Sequence, residues 1–86
     1  MNLESYQSRL TNLLRHYKVS ETEYSFNGKQ TENCIFTKQQ NNLWYVYQSE
    51  NGKTAVRGMF YSEIDAYDFV FYLVLKKHRS LKKIWW

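Results

Sequence analysis

Three side chains of this sequence have the chemistry of nucleophiles, bases or metal ligands: His16, Cys34 and His78. A hydrolase needs a nucleophile, a base and an orienting group that converge on one point. His16 falls on the polar side of a predicted helix, His78 falls in a basic run, and no residue near Cys34 in the sequence would activate its thiol. We therefore expect no catalytic residues.

The acidic and glycine residues offer no other chemistry. Glu21 and Glu23 fall in a polar connector, and Glu63 and Asp65 are explained by capping at the start of a helix. Two histidines and one cysteine lack the spacing of a metal site, and all three glycines fall in or beside predicted hairpins rather than in a phosphate loop. We expect no enzyme activity, no cofactor and no metal, and a function that depends on binding another macromolecule.

The N-terminal segment has the periodicity of an amphipathic helix. Its apolar residues recur at three- and four-residue steps and should share one helical face. They are Leu3, Tyr6, Leu10, Leu13, Leu14 and Tyr17.

Short strands should follow, because turn signals recur at Asn27-Gly28, at residues 40–42 and at Asn51-Gly52. Between these turns we predict strands near residues 22–26, 32–38, 43–50 and 53–60, joined as an antiparallel meander. The third strand is apolar on both alternating faces. It should therefore be a central strand, covered by helix on one face and by a partner or an aromatic layer on the other.

A second helix is predicted from the capping-box-like start at Ser62 to about Arg79. Its stretch 69–75 is apolar all round, so it should contact the sheet on one side and the first helix or the chain end on the other. The predicted class is α+β with the order α-β-β-β-β-α. Residues 1–80 form a single domain in this prediction, and residues 81–86 form a basic, aromatic tail that packs back on it.

The bulk composition favours a small cytoplasmic protein. Cys34 is the only cysteine, so no internal disulfide is possible. The first residues lack a signal-peptide pattern, and no apolar run approaches the roughly 20 residues that span a bilayer, so we expect no membrane association. Aromatic residues make up 19% of the chain. Some of these rings should stay exposed, because they exceed what a domain this small can bury.

The first candidate binding region is the aromatic hairpin, with Trp44, Tyr45, Tyr47 and Glu50 on one strand and Arg57 on the returning strand. Tyr, Trp and Arg concentrate binding energy at interfaces. The alternative is a well-packed central hairpin in which Glu50 and Arg57 are merely solvated.

The second candidate region is the tail. Residues 1–75 carry seven Lys or Arg and eight Asp or Glu, whereas residues 76–86 carry five basic residues and no acid. Lys82 and Lys83 could neutralise phosphates while Trp85 and Trp86 stack on bases. The same residues could meet an acidic protein, or simply favour the negative end of their own helix while the tryptophans pack on the core.

One stretch of the sequence resembles short bacterial immunity proteins. Their hairpin pattern W-x-V-Y-x-S-E-x-G matches residues 44–52, and their pattern F-x-S-E-x-x-A at the start of the last helix matches residues 60–66. The resemblance implies a cytosolic protein without catalytic activity that binds one toxin of the polymorphic or contact-dependent type and is encoded beside it. Because the body is near neutral and the tail is basic, we expect an aromatic contact or an acidic toxin surface rather than acidic mimicry of nucleic acid.

Two other interpretations stay open. The protein could be a small phage or plasmid regulator that binds nucleic acid through the tail, with steep salt dependence. It could also be a homodimeric structural module that buries its apolar helix or an open sheet edge against a second copy. The oligomeric state is therefore predicted only as monomer or homodimer.

Overall fold

The computed structural model describes residues 3–26, 28 and 33–82, without the side chains of residues 3 and 79–82. Its elements are α1 (Leu3–His16), a short 3₁₀ helix (Glu21–Glu23), β1 (Tyr24–Ser25), β2 (Ile35–Gln40), β3 (Leu43–Glu50), β4 (Lys53–Phe60) and α2 (Glu63–Lys82). The class is α+β, as predicted. The four strands form one sheet in the order β1-β2-β3-β4.

Two tight hairpins join β2, β3 and β4. Asn41 and Asn42 both have positive φ, as do Asn51 and Gly52. Two successive left-handed residues form the turn whose twist matches that of the flanking strands, and asparagine and glycine tolerate this backbone best. The registers Gln40↔Leu43 and Glu50↔Lys53 follow directly from these two-residue turns. The turns predicted at residues 40–42 and at Asn51-Gly52, and strands 43–50 and 53–60, are confirmed.

The first strand corrects the predicted antiparallel meander, because β1 pairs with β2 in parallel, with Tyr24 opposite Ile35. A two-residue turn at Asn27-Gly28 would have placed the polar residues 29–33 beside β1. The parallel register instead sets Tyr24 and Ile35 side by side in the core, where they are 7% and 2% exposed. Burial of apolar surface therefore outweighs the local turn signal. Because a parallel pair needs a returning connection, residues 26–34 separate the two strands.

The helices pack on one face of the sheet. The core joins Leu10 and Leu14 of α1, Val46 of β3, and Tyr67 and Val70 of α2. The predicted α1 stripe is only partly buried, since Leu13 and Tyr17 are exposed. Helix α2 begins at Glu63, where the Ser62 Oγ accepts a hydrogen bond from the Asp65 N–H at 3.5 Å, and it runs beyond the expected end to Lys82.

Helix α2 was predicted to contact the sheet on one side and another element on the other side. Helix α1 provides part of that other contact. The Tyr6 hydroxyl donates to the Asp68 carboxylate, and the Gln7 Nε2 donates to the Tyr67 hydroxyl at 2.7 Å. One turn after Asp68, on the side of α2 that faces away from the core, Tyr72 stays 54% exposed. Helix α2 is therefore held by the sheet and by α1, and it keeps one aromatic residue in solvent.

Candidate functional site

Two neighbouring cross-strand rows of side chains lie at the centre of the sheet, on the face opposite the helices. Residues paired across neighbouring strands share a face, and successive residues alternate. One row consists of Phe36, Tyr47 and Val56, and the next row consists of Lys38, Tyr45 and Met59. We call these six residues the open face.

The rings of the open face stack on one another. The Phe36 and Tyr47 ring centroids lie 5.3 Å apart, and those of Tyr45 and Tyr47 lie 6.1 Å apart, with interplanar angles of 18° and 24°. Parallel, offset rings are a favourable aromatic arrangement. Phe36 is buried, whereas both tyrosines are half-buried. The tyrosines therefore sit in a fixed arrangement and still present surface to a partner.

Two aliphatic side chains extend this aromatic surface toward the edge of the sheet. Val56 is 56% exposed and Met59 is 54% exposed. A contiguous apolar patch on a small protein marks an interaction site more often than scattered apolar residues do. The open face thus has the composition of an interface core, in which Tyr and Met are enriched.

An irregularity in β4 decides which of its side chains reach the open face. The register pairs Val46 with Gly58 and Tyr47 with Val56, so Arg57 is an extra residue opposite β3. If the register set by the turn at Asn51-Gly52 continued unbroken, Met59 would lie opposite Trp44 and point toward the helices. The bulge instead places Met59 opposite Tyr45 on the open face and leaves Arg57 exposed at the edge, where its guanidinium donates to the Gln48 Oε1.

The charge of this surface is positive. Lys38 lies on the open face, and none of the eight acidic residues of the chain falls in either row, whereas the Arg57 guanidinium reaches Gln48 on the helix side of the sheet edge. Cations at the rim of an apolar patch favour an acidic partner surface and raise the rate of encounter with it.

The structure separates the predicted members of the aromatic hairpin. Tyr45 and Tyr47 lie on the open face, but Trp44 pairs with Phe60 on the helix side and packs half-buried against the core. The Glu50 carboxylate forms an ion pair with Lys77 of α2 at 3.2 Å. Trp44 and Glu50 therefore make contacts within the fold, whereas Tyr45 and Tyr47 point away from the core.

Most of the predicted tail falls outside the described residues. Lys83, Trp85 and Trp86 belong to this part of the chain. Lys82 is the last residue of α2, and its side chain is not described.

A cleft of about 470 Å³ lies at one end of the sheet, between α1, β2 and the start of α2. Its walls include Gln7, Gln39, Trp44, Glu63 and Tyr67. The Tyr67 hydroxyl donates to the Glu63 Oε2. Burial and this bond to Glu63 together raise the pKa of Tyr67 to about 12. The phenol is therefore protonated at neutral pH, and its hydrogen bonds link Gln7 of α1 to Glu63 of α2.

The three candidate reactive residues do not form a group. Cys34 is buried just before β2 and its thiol faces the Ile35 carbonyl at 3.6 Å. His16 is exposed at the end of α1, where its ring meets Tyr17, and His78 is half-buried in α2. Among residues 3–26, 28 and 33–82, no three His, Cys, Asp or Glu side chains lie close enough to hold a metal ion.

Sequence analysis missed Phe36, Lys38, Val56 and Met59 as parts of the site. Phe36 and Lys38 could have been found by projecting the predicted hairpin register from Tyr45 and Tyr47 onto the preceding strand. Val56 could have been found in the same way from the turn at Asn51-Gly52, but Met59 could not, because the bulge that places it opposite Tyr45 has no signature in the sequence.

No protein-family model, no curated protein and no solved structure matches this chain. None of the helices in the described part of the chain is both long enough and apolar enough to cross a lipid bilayer.

Proposed function

We propose that this protein is a non-catalytic immunity protein that binds a bacterial toxin and neutralises it by steric occlusion, with the open face as its central contact. The observation that carries the proposal is the stacked tyrosine pair, Tyr45 and Tyr47, flanked by the exposed side chains of Val56 and Met59. Rigid aromatic groups lose little conformational entropy on binding, so they contribute strongly to affinity.

The identity of the partner class rests on the resemblance of residues 44–52 and 60–66 to immunity proteins. The alternation of side chains between the two faces of β3 gives a physical reason for part of the pattern in residues 44–52. Within it, Trp44 and Val46 face the core, while Tyr47 faces outward. Folding alone explains the inward residues, whereas the outward tyrosine is better explained by a partner.

Steric occlusion is the mechanism that fits this surface best. The open face has no acidic side chain that could mimic a phosphate backbone, and it contains no group that could modify a toxin chemically. If the open face binds over or beside the active site of the toxin, the bound protein would exclude substrate from that site. The cation Lys38 on this face favours a toxin surface with carboxylates.

Co-expression with the toxin candidate encoded beside this gene tests the proposal. We expect a stable complex that purifies through a tag on either protein, and protection of growth when the toxin is induced. A Tyr45→Ser, Tyr47→Ser double variant should lose both, whereas Tyr17→Ser, a change of an exposed tyrosine on the other side of the molecule, should keep both. Absence of a complex and of protection with the unaltered protein would overturn the proposal.

Salt dependence distinguishes the rival function, nucleic-acid binding. Binding to phosphates would weaken steeply as salt rises, because bound counterions are released. An aromatic protein interface should lose far less affinity over the same range. The stacked arrangement of the open face also favours a protein partner, because Tyr47 already stacks with two neighbouring rings.

A further inference from the structure

The cleft of about 470 Å³ opens along the edge of β2, beyond the end of β1. The pairing of β1 with β2 covers Ile35 and Phe36, and the next three residues of β2, 37–39, line the cleft. Successive strand residues point to opposite faces of a sheet, so three in a row border one cleft where it opens at the edge of their strand. The cleft therefore begins where β1 ends, and it reaches from the helix side of the sheet toward the open face.

Lys38 belongs to both surfaces. It lies in the second row of the open face, opposite Tyr45, and it also lines the cleft. A partner that covers the open face would therefore lie beside the mouth of the cleft. The cleft continues the proposed contact surface around the edge of β2.

Hydrogen bonds in the cleft determine which of its polar atoms stay available. The Tyr67 hydroxyl has one proton, which it donates to the Glu63 Oε2. The hydroxyl must then accept from Gln7, whose Nε2 lies 2.7 Å away. This orientation leaves the Gln7 Oε1 and the Glu63 Oε1 as acceptors. Neither oxygen accepts a hydrogen bond from another residue in the described part of the chain.

The charge inside the cleft is negative. Among the described residues that line it, Glu63 is the one acid and Lys38 is the one cation. Glu63 is the first residue of α2, where the helix dipole stabilises an anion. Lys38 projects from the opposite face of the sheet, since it pairs with Tyr45. A group that binds in the cleft should therefore be a hydrogen-bond donor with a positive charge.

Trp44 gives the cleft an aromatic wall. It is half-buried, packs against the core and lines the cleft. The indole is the aromatic group that attracts a cation most strongly, and a planar guanidinium also stacks on it. The five donors of a guanidinium form a fixed fork, which suits two separate acceptors better than a lysine ammonium does. Since the volume of the cleft is in the range of pockets that enclose small ligands, it has room for one arginine side chain.

We infer that the cleft binds an arginine side chain of the protein partner, with the guanidinium on the Glu63 carboxylate and against Trp44. This inference rests on the proposed function and adds an anchor beside the open face. The partner would present a carboxylate to Lys38 and the arginine next to it. A protein without this arginine would cover Glu63 and leave it without a counter-ion, which is a source of specificity.

A titration with capped arginine tests the cleft without the toxin. The probe is Nα-acetyl-arginine amide, and the matched control is Nα-acetyl-citrulline amide, which has nearly the same shape but no charge. In two-dimensional NMR spectra of the full chain, the probe should shift the Trp44 indole N–H and the amides of Gln7, Gln39 and Glu63, with a Kd on the order of 10 mM. Citrulline should shift them far less, and Glu63→Gln should remove the difference between the two compounds.

Four outcomes of this titration overturn the inference. Three are an absence of shifts in the cleft, equal shifts with arginine and citrulline, and a response to arginine that Glu63→Gln leaves unchanged. The fourth is a larger shift with Nα-acetyl-glutamate amide, which would assign the cleft to an anion near Lys38. The comparison of arginine with citrulline uses the unaltered chain, so it decides the question whether or not the variant folds.

Toxin binding separates this inference from the proposed function. Glu63→Gln keeps an acceptor for the Tyr67 hydroxyl but removes the charge, so it should weaken toxin binding at least about tenfold. The control is Asp65→Asn, because Asp65 is an exposed carboxylate in the same first turn of α2 and does not line the cleft. This variant should bind normally.

The two claims can fail separately. Unchanged toxin affinity in a folded Glu63→Gln variant would overturn the arginine anchor and leave the open face as the contact. If the unaltered chain binds no toxin, the proposed function fails, whereas the titration with capped arginine still decides whether the cleft accepts a guanidinium.

Discussion

Phe36 and Tyr47 stack across β2 and β3 on the face of the sheet that faces away from both helices, with ring centroids 5.3 Å apart. Phe36 is only 3% exposed although it stands outside the core cluster that joins the sheet to the helices. The open face therefore has a small apolar layer of its own, which holds Tyr47 in position for a partner.

Replacement of Phe36 tests this layer. We expect Phe36→Ala to lower the free energy of unfolding by about 3 kcal/mol, because it removes a buried ring and leaves a cavity beneath Tyr47. Urea denaturation of the variant and the unaltered chain measures the difference. Met59→Ala, which shortens an exposed side chain on the same face, should cost less than about 1 kcal/mol. Equal, small effects of both changes would show that Phe36 is not part of a packed layer.

Gly58 provides a second test, on the helix side of the sheet. A Cβ at this position would lie 2.9 Å from the Phe69 ring and 3.0 Å from the Phe60 ring. We expect Gly58→Ala to cost about 1–3 kcal/mol in unfolding free energy, because aromatic rings must move to accept it. Phe69→Leu should relieve part of that cost in the double variant. Costs that simply add would mean that the two positions do not touch.

Stability at high pH should depend on Tyr67. The fold raises the pKa of this phenol to about 12, mainly by burial and then by its bond to Glu63. Because the folded pKa exceeds the unfolded value of 10.0, the stabilisation is complete below about pH 10 and is lost as pH rises through about 12. Thermal melts of Tyr67→Phe should show a smaller loss over that window than the unaltered chain. Tyr17→Phe is the control, and an identical loss in all three proteins would contradict the assignment.

The Glu50–Lys77 ion pair should contribute little to stability. Its two side chains are 51% and 31% exposed, so water screens the pair, and we expect Glu50→Gln to change the unfolding free energy by less than about 1 kcal/mol. We also expect this variant to bind the toxin normally, because the carboxylate is used within the fold. A large loss of affinity in Glu50→Gln would instead make Glu50 a contact residue, as the sequence alone predicted.

The two hairpins were predictable because their turn chemistry and their strand alternation agree. Asn41, Asn42, Asn51 and Gly52 supply the left-handed backbone that two-residue turns need, and this fixes the register of three strands. The parallel pairing of β1 was not predictable from local pattern. The Asn27-Gly28 signal favours a hairpin, and only the burial of Tyr24 beside Ile35 in the finished core outweighs it.

The candidate site, like the fold, was only partly predictable from the sequence. Alternation along β3 assigns Trp44 and Tyr45 to opposite faces, but the sequence does not show which face the helices cover. The bulge at Arg57 cannot be deduced locally either, because the next residue, Gly58, meets the Phe69 ring of α2 only in the folded structure. Glu50 looked available because its partner, Lys77, is distant in sequence.

The affinity of the toxin for open-face variants tests the central claim most directly. Isothermal titration calorimetry would compare the unaltered chain with Tyr45→Ala, Tyr47→Ala and the control Tyr17→Ala, after circular dichroism has shown that each variant is folded. We predict that Tyr45→Ala or Tyr47→Ala weakens binding at least about thirtyfold, the effect of losing a residue that dominates an interface, and that Tyr17→Ala leaves the Kd unchanged. Folded variants that bind as tightly as the unaltered chain would contradict the claim that the open face is the toxin-binding surface.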